Sequence, residues 1–413
     1  MFWSMALSAL PPVCRPRARV LLLTLALLWS GTGGAQTLGT ALEQAWVRLP
    51  IAAELTARDD EAQARSAMAR AWTPGPPSVS LSSLNDRLNA NTGKQEWEAE
   101  LAVPLWLPGQ RAARSLEAEA AAAELAARRA ALRLQLAGEL RSAWWQLAAA
   151  RQAVAVALRR EASAQALLVD VQRRFKAGDL ARLDANLAHN ERLTAQGERL
   201  EAAAAQRQAE QTYQALTGAA PPEDLAQETM QPVSDLSTGH ARLVAARAVA
   251  ALAQARLALA QQTRREAPEL ALRLIRERGD LHASYANAVG VKLTLPLSSG
   301  PRVRQDSAAA QAESLQASAE LVLTEQRLAL AADRARLDVD LARQQQALAQ
   351  QRHELSADNL RLAEKSFALG ESDLAMLLRA RASAFEAEAL LGRQSTALAA
   401  SVSRLNQSLG VLP

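Results

Sequence analysis

Two hydrophobic periods share this chain. In the first, Leu140, Leu147, Val154, Leu168 and Phe175 fall on one seven-residue grid, with a polar lapse at Glu161. Leu341, Leu348, Leu355 and Leu362 keep the same spacing without a lapse. Beyond Gly370, Leu377, Ala384, Leu391, Leu398 and Leu405 continue it. Such a repeat lines side chains up on one stripe of a helix and predicts coiled-coil seams. The second period is two. Trp97, Ala99, Leu101, Val103, Leu105 and Leu107 alternate with Glu96, Glu98 and Glu100. Val289, Val291, Leu293, Leu295 and Leu297 alternate with Gly290, Lys292 and Thr294. These stretches predict strands with one apolar and one polar face. Val79 and Leu81 in 77–84, and Leu270, Leu272 and Leu274 in 268–277, predict a partner strand for each. Segments 85–93 and 278–284 then become hairpin loops.

The whole arrangement occurs twice, offset by 192 residues. Pro104, Leu105, Phe175, Gly178 and Gly218 return as Pro296, Leu297, Phe367, Gly370 and Gly410. One offset across that span means a duplicated structural unit. Gly178 and Gly370 interrupt the heptads, and acids follow them: Asp179 in one case, Glu371 and Asp373 in the other. Glycine stops a helix in the left-handed conformation, and an acid or serine starts the next. Each repeat is therefore a helical hairpin. Its long arm, 109–178 or 301–370, is ~100 Å at ~1.5 Å per residue, and its short arm, 179–218 or 371–410, is ~60 Å. Leu38–Trp72, broken only by Pro50, and Ser237–Gln262 have helical spacing and stack on the short arms to match the long ones. The domain plan is 1–35 leader, 36–220 first repeat, 221–236 linker and 237–413 second repeat. Strands span about 77–107 and 268–299.

Composition supports long helices, since only 3% of residues are aromatic. Arg15, Arg17 and Arg19 precede a short apolar run, 20–29, and small residues end at Ala35, as in a cleaved secretory signal. Residues 1–35 hold no acid, so losing them lowers the formal charge from +4 to +1 and removes Cys14. The basic balance thus gives little support for nucleic-acid binding.

Four strands of about 9–11 residues suit an outer-membrane barrel, with apolar residues toward lipid and Glu96, Glu98, Glu100 and Lys292 toward a lumen. Four strands cannot close alone, and an open edge in lipid is prohibitive, so the chain is expected to oligomerise in a ring. The competing expectation is a soluble sheet packed on the helices.

At this point the chain resembles the TolC family of outer-membrane efflux proteins, from about Thr37 to Leu412. The Phe-x-x-Gly turns and the Pro-containing strand ends carry the likeness. The resemblance implies a mainly α fold with a β-barrel portion: three protomers form a 12-stranded barrel that continues as an α-helical periplasmic tunnel. It implies a homotrimer in outer-membrane lipid that docks onto a periplasmic membrane-fusion adaptor and an inner-membrane pump. The resulting exit duct would serve tripartite efflux or type I secretion in a Gram-negative cell. The turns with Phe175, Gly178, Phe367 and Gly370 would form the docking tip. Asp179, Arg182, Asp184, Asp373 and Arg379 would surround the aperture, the arginines pairing with the acids across helices. Asp184 matches the family's aspartate after the first turn. At the second turn Phe367, Ser372 and Arg379 stand where the family's namesake has Tyr, Arg and Asp. Segment 177–184 is similar to the heavy-metal branch, which points to an RND-class pump and metal cations as cargo.

His189, His240, His282 and His353 are scattered, and no Gly-rich phosphate loop or nucleophile–base pair occurs. No metal site, cofactor or catalysis is expected. A periplasmic adaptor or a purely structural coiled coil remain as alternatives. The first would carry one hairpin amid β-rich domains, and the second has no use for alternating strands.

Overall fold

The computed structural model describes residues 37–231, 239–297 and 300–413. The leader with Cys14, the end of the 221–236 linker and the last residues of the 268–299 strand region lie outside the described residues.

The first repeat begins with α1 (Leu38–Arg48) and α2 (Pro50–Arg70). Leu49 is extended at φ −72°, ψ 126°, because the residue before proline is pushed out of the helical region, and Pro50 then opens α2. Two strands follow, β1 (Ser78–Asn85) and β2 (Gln95–Pro104), then α3 (Gln110–Ala177) and α4 (Arg182–Thr217). The second repeat supplies α5 (Ala241–Gln262), β3 (Glu269–Arg278), β4 (Ala286–Thr294), α6 (Gly300–Ala368) and α7 (Leu374–Ser408). The long helices have 68 and 69 residues, about 100 Å each.

Straight helices do pair with broken ones. α3 packs on α4 and α2, and α6 packs on α7 and α5. α1 joins the break in the first repeat, where Arg48 lies against Gly218 at the end of α4. In the second, Gly410 at the end of α7 abuts His240 at the start of α5. α3 also contacts α5 and α7, so it lies between the repeats. α5 is long and apolar enough to cross a membrane by length and composition, yet it packs along both long helices.

The core is densest at mid-length. Leu42 and Ala45 of α1 meet Leu136, Leu140 and Trp144 of α3 and Tyr213 of α4. Trp144 and Tyr213 pack with ring centroids 6.0 Å apart. Beside them Arg141 is buried and pairs with Glu228 at 2.6 Å, and Ser403 donates to the same carboxylate. Trp144 Nε1 donates to the Ala226 carbonyl, Arg151 to those of Pro222 and Glu223, and Asn406 Nδ2 to that of Thr229. The described part of the expected linker is therefore a strap fastened across α3 and α7. Its polar ties are invisible in a hydrophobic pattern. The lapse at Glu161 is likewise an inter-helix ion pair, with Arg199 of α4 at 2.7 Å.

His240 is buried, and its Nδ1 accepts the Arg242 N–H at 3.2 Å to cap α5. Burial, with nearby Arg242 adding to it, holds the imidazole below its ordinary pKa. Below about pH 6.5 the unfolded chain takes a proton that the folded chain resists, so His240 lowers stability as pH falls toward the folded pKa. The thermal midpoint should therefore drop more between pH 7.5 and 5.5 in the wild type than in His240→Asn, which keeps a cap acceptor without the titration. Equal drops would exclude His240 as a source of acid sensitivity.

Candidate functional site

The strands form one antiparallel sheet in the order β1-β2-β3-β4, so both hairpins lie side by side. Leu101 pairs with Val79 and Leu272, and Leu272 with Val291. The next rows, Leu81–Ala99–Leu274–Val289 and Val103–Leu270–Leu293, keep the same face apolar. Parity of each strand thus propagates across the whole sheet. That face is open: Leu81 is 81% exposed and Val291 73%. Among the described residues no strand makes a principal contact with a helix, which runs against the expectation of a sheet packed on the bundle.

The opposite face carries Glu96, Glu98, Glu100 and Lys292, as their alternation predicts, and joins three of them through a residue that the sequence reading missed. Arg273 pairs with Glu98 and lies 3.4 Å from Glu100, which also meets Lys292 at 3.4 Å. Arg273 sits directly opposite Glu100 in the register. Its parity between Leu272 and Leu274 was the available signal. Toward the hairpin loops, Glu277 of β3 is directly opposite Glu96 of β2.

At the far end of the long helices both turns have one geometry. Gly178 has φ 89°, and the N–H groups of Gly178 and Asp179 donate to the carbonyls of Phe175 and Arg174 at 3.1 and 3.0 Å. Gly370 has φ 74°, with Gly370 and Glu371 donating to Phe367 and Ser366 at 3.1 and 2.9 Å. This is the helix stop that wants glycine at the left-handed position. A side chain at either glycine would meet open space, so only backbone strain opposes it. The two hairpin ends come together through Leu168, Val171, Ala188, Phe367, Leu374 and Leu377. Phe367 is buried with Arg174 over its ring at 5.1 Å, while its repeat mate Phe175 is 40% exposed. Arg381, also missed, ties α7 to the Ser163 carbonyl of α3 at 3.0 Å and to Glu364 of α6 at 2.9 Å.

The acids near the turns are occupied locally. Asp184 accepts the Ala181 N–H at 3.1 Å, and Asp373 accepts the Met376 N–H at 2.7 Å, each capping the start of its helix. The helix after the first turn starts at Ala181, without an acid or serine at the cap itself. Asp179 and Arg182 are exposed. Arg379 donates to the Ala375 carbonyl at 3.3 Å. The expected pairing of Arg182 and Arg379 with these acids is therefore absent from the protomer's described residues, because the carboxylates turn back onto backbone N–H groups of their own helices.

A further correction concerns the heptads. Leu377, Ala384 and Leu405 are buried as a seam with α6 should be. Leu341, Leu348, Leu355 and Leu362 are not: Leu348 is 66% exposed. α6 instead turns Ala335, Val339, Ala342 and Ala349 toward its neighbours.

Residues 225–411 match the family model described as Outer membrane efflux protein. The matched stretch covers most of the second repeat, a little under half of the chain. Solved structures of low identity share its fold from end to end. The outer membrane protein VceC of Vibrio cholerae superposes with TM-score 0.74 at 18% identity, over 91% of this chain and 96% of that one. The CmeC outer membrane channel of Campylobacter jejuni gives 0.73 at 16%, over 97% and 94%. The MtrE outer membrane channel of Neisseria gonorrhoeae, solved in its open state, gives 0.71 at 16%, over 91% and 89%. No curated protein sequence matches. The fold shared with these channels is mainly helical with a small antiparallel sheet.

The two faces of the sheet should respond differently to charge. Leu101→Arg or Val291→Arg should cost about 2–4 kcal/mol near a bilayer midplane. Glu98→Gln should stay within about 1 kcal/mol, since Arg273 keeps Glu100. Equilibrium unfolding from lipid vesicles measures both, and equal costs would show that the faces do not differ in environment.

Proposed function

We propose that three copies of this chain close a 12-stranded barrel in the outer membrane of a Gram-negative bacterium, with the helices continuing as a periplasmic tunnel. A cleaved leader (1–35) followed by two efflux repeats, 36–220 and 237–413, fits that route. The observation that carries the proposal is a four-stranded sheet with an uncovered apolar face and two edge strands, β1 and β4. In lipid every unpaired N–H and C=O of an edge costs several kcal/mol, so the edges must meet those of other copies.

The helices supply the matching seam. Ala149, Gln152 and Val156 of α3 line a groove against Phe385, Ala389 and Gly392 of α7. The repeat offset turns the first set into Leu341, Gln344 and Leu348 of α6, and the second into Leu193, Gly197 and Leu200 of α4. These leucines are exposed, and a side chain at Gly197 would meet nothing. The leucine stripe of α6 in one copy is therefore proposed to lie on α4 of the next. Leu341→Asp with Leu348→Asp should convert a trimer into monomers in light scattering of the detergent-purified protein. A stable trimer in that variant would put the seam elsewhere.

The assembly acts as a passive exit duct for a tripartite efflux or type I secretion system. The glycine turns with Phe175 and Phe367 are its proposed dock for a membrane-fusion adaptor, which links it to an inner-membrane pump of the RND class. Three copies of Asp179, Asp184 and Asp373 near the tip favour cations, metal cations among them, in a narrow pore. Arg182 and Arg379 temper that field and are free to pair across protomers. Glu98, Glu100, Arg273 and Lys292 line the barrel lumen in this reading.

Asp184 then has two roles that substitutions separate. Asp184→Asn removes charge while keeping an acceptor for Ala181, and should lower cation preference in planar bilayers at low salt. Asp184→Ala also loses the cap, about 0.5–2 kcal/mol, and should raise conductance as the tip loosens. Both differences should shrink as the Debye length falls from ~30 Å at 0.01 M to ~3 Å at 1 M salt. Unchanged selectivity and conductance in both variants would reduce Asp184 to a helix cap.

A further inference from the structure

The apolar face of the sheet ends, toward the hairpin loops, in two basic side chains. By parity with Leu270, Leu272 and Leu274, β3 carries Arg276 and Arg278 outward. They are the only charged strand residues on that face. Both guanidinium groups stack on Tyr285, at 4.5 and 5.1 Å from the ring centroid. The Tyr285 hydroxyl donates to Gln95 Oε1 at 2.6 Å, which fixes the ring as a platform. The ion pairs of the sheet lie on the opposite face, around Arg273 and Lys292. Arg278 Nε is shielded from water with no hydrogen-bond partner.

Their height on the sheet identifies what they would meet. Arg276 is directly opposite Trp97 in the register. From Trp97 down to Leu105, just past the end of β2, the outward residues are all apolar. Those eight steps cover ~27 Å of strand, or ~21 Å of height at a tilt of ~40°, close to the ~25 Å apolar band of such barrels. The arginines therefore sit at the band's edge on the side away from the helices, where tryptophan and tyrosine mark a membrane–water interface. An arginine fork matches phosphate oxygens, and stacking on an aromatic ring holds it in place. A soluble anion would find the same forks but would gain nothing from Leu274 and Val289 just below.

We infer that Arg276 and Arg278, clamped on Tyr285, bind the phosphate of an anionic lipid in the outer leaflet. The inference rests on the barrel reading above. Its test uses the full chain in detergent, with diphosphoryl lipid A as the probe and bound lipid counted by native mass spectrometry. Arg276→Gln with Arg278→Gln should weaken binding roughly thirtyfold. The double Lys variant keeps the charge without the fork or the stacking and should recover only part of it, and Lys292→Gln, on the other face, should bind as the wild type does. Equal binding by the wild type and the double Gln variant overturns the site. Displacement of the lipid by inorganic phosphate at equal concentration overturns the lipid assignment in favour of a free-anion site. The same samples are assayed for pores in planar bilayers. A wild type that makes no pores defeats the barrel reading, whereas normal pores with unchanged lipid binding defeat this inference alone.

Discussion

Two copies of one unit laid side by side share one lateral seam and leave another open. α3 covers its apolar surface because both repeats flank it, while α6 lies at the edge and, among the described helices, packs along α5 and α7. Equivalent residues consequently occupy different environments. Val156 is buried against the second repeat, yet Leu348, its mate 192 residues later, faces outward. The sheet repeats the asymmetry: β2 and β3 are paired on both sides, β1 and β4 on one. Both open features lie on the same two edges, so one head-to-tail contact between copies would satisfy them together, and such a contact closes into a ring when its rotation permits.

The long helices carry this arrangement without a large aromatic core. Alanine and leucine let them approach closely, and the few large rings gather at mid-length, where α1 and the strap lie across α3. There the structure accepts buried polar groups and pairs those beside the strap, while Trp145 Nε1 and the Tyr213 hydroxyl are buried without a hydrogen-bond partner among the described residues. Glu228 takes two partners at once, and the carbonyls of Pro222, Glu223, Ala226 and Thr229 accept from side chains. A buried pair contributes little net stability, but removing one partner leaves a stranded charge, which makes the junction specific.

The sheet distributes charge by face. Glu98, Glu100, Arg273 and Lys292 neutralise one another on the polar side, while the outward side is apolar up to its loop edge. The tip uses charge differently. Asp184 and Asp373 are committed to helix starts, which aligns the two short arms after their glycine turns and leaves Arg182 and Arg379 without acidic partners among the protomer's described residues.

Local periodicity determined most of the elements. Period two with fixed parity located four strands and sorted Glu96, Glu98, Glu100 and Lys292 onto one face, because a strand alternates its side chains whatever surrounds it. Phe-x-x-Gly at a constant offset located both turns, because only glycine takes φ near 89° and 74° cheaply there. Which surface covers which was decided in three dimensions. A heptad aligns Leu341, Leu348 and Leu355 on one stripe but does not say whether the covering helix belongs to the same chain. Arg273, Arg381 and the strap at Ala226–Thr229 escaped notice because their partners are remote in sequence, and a side chain's partner depends on distances that only the packed fold brings down to a hydrogen bond.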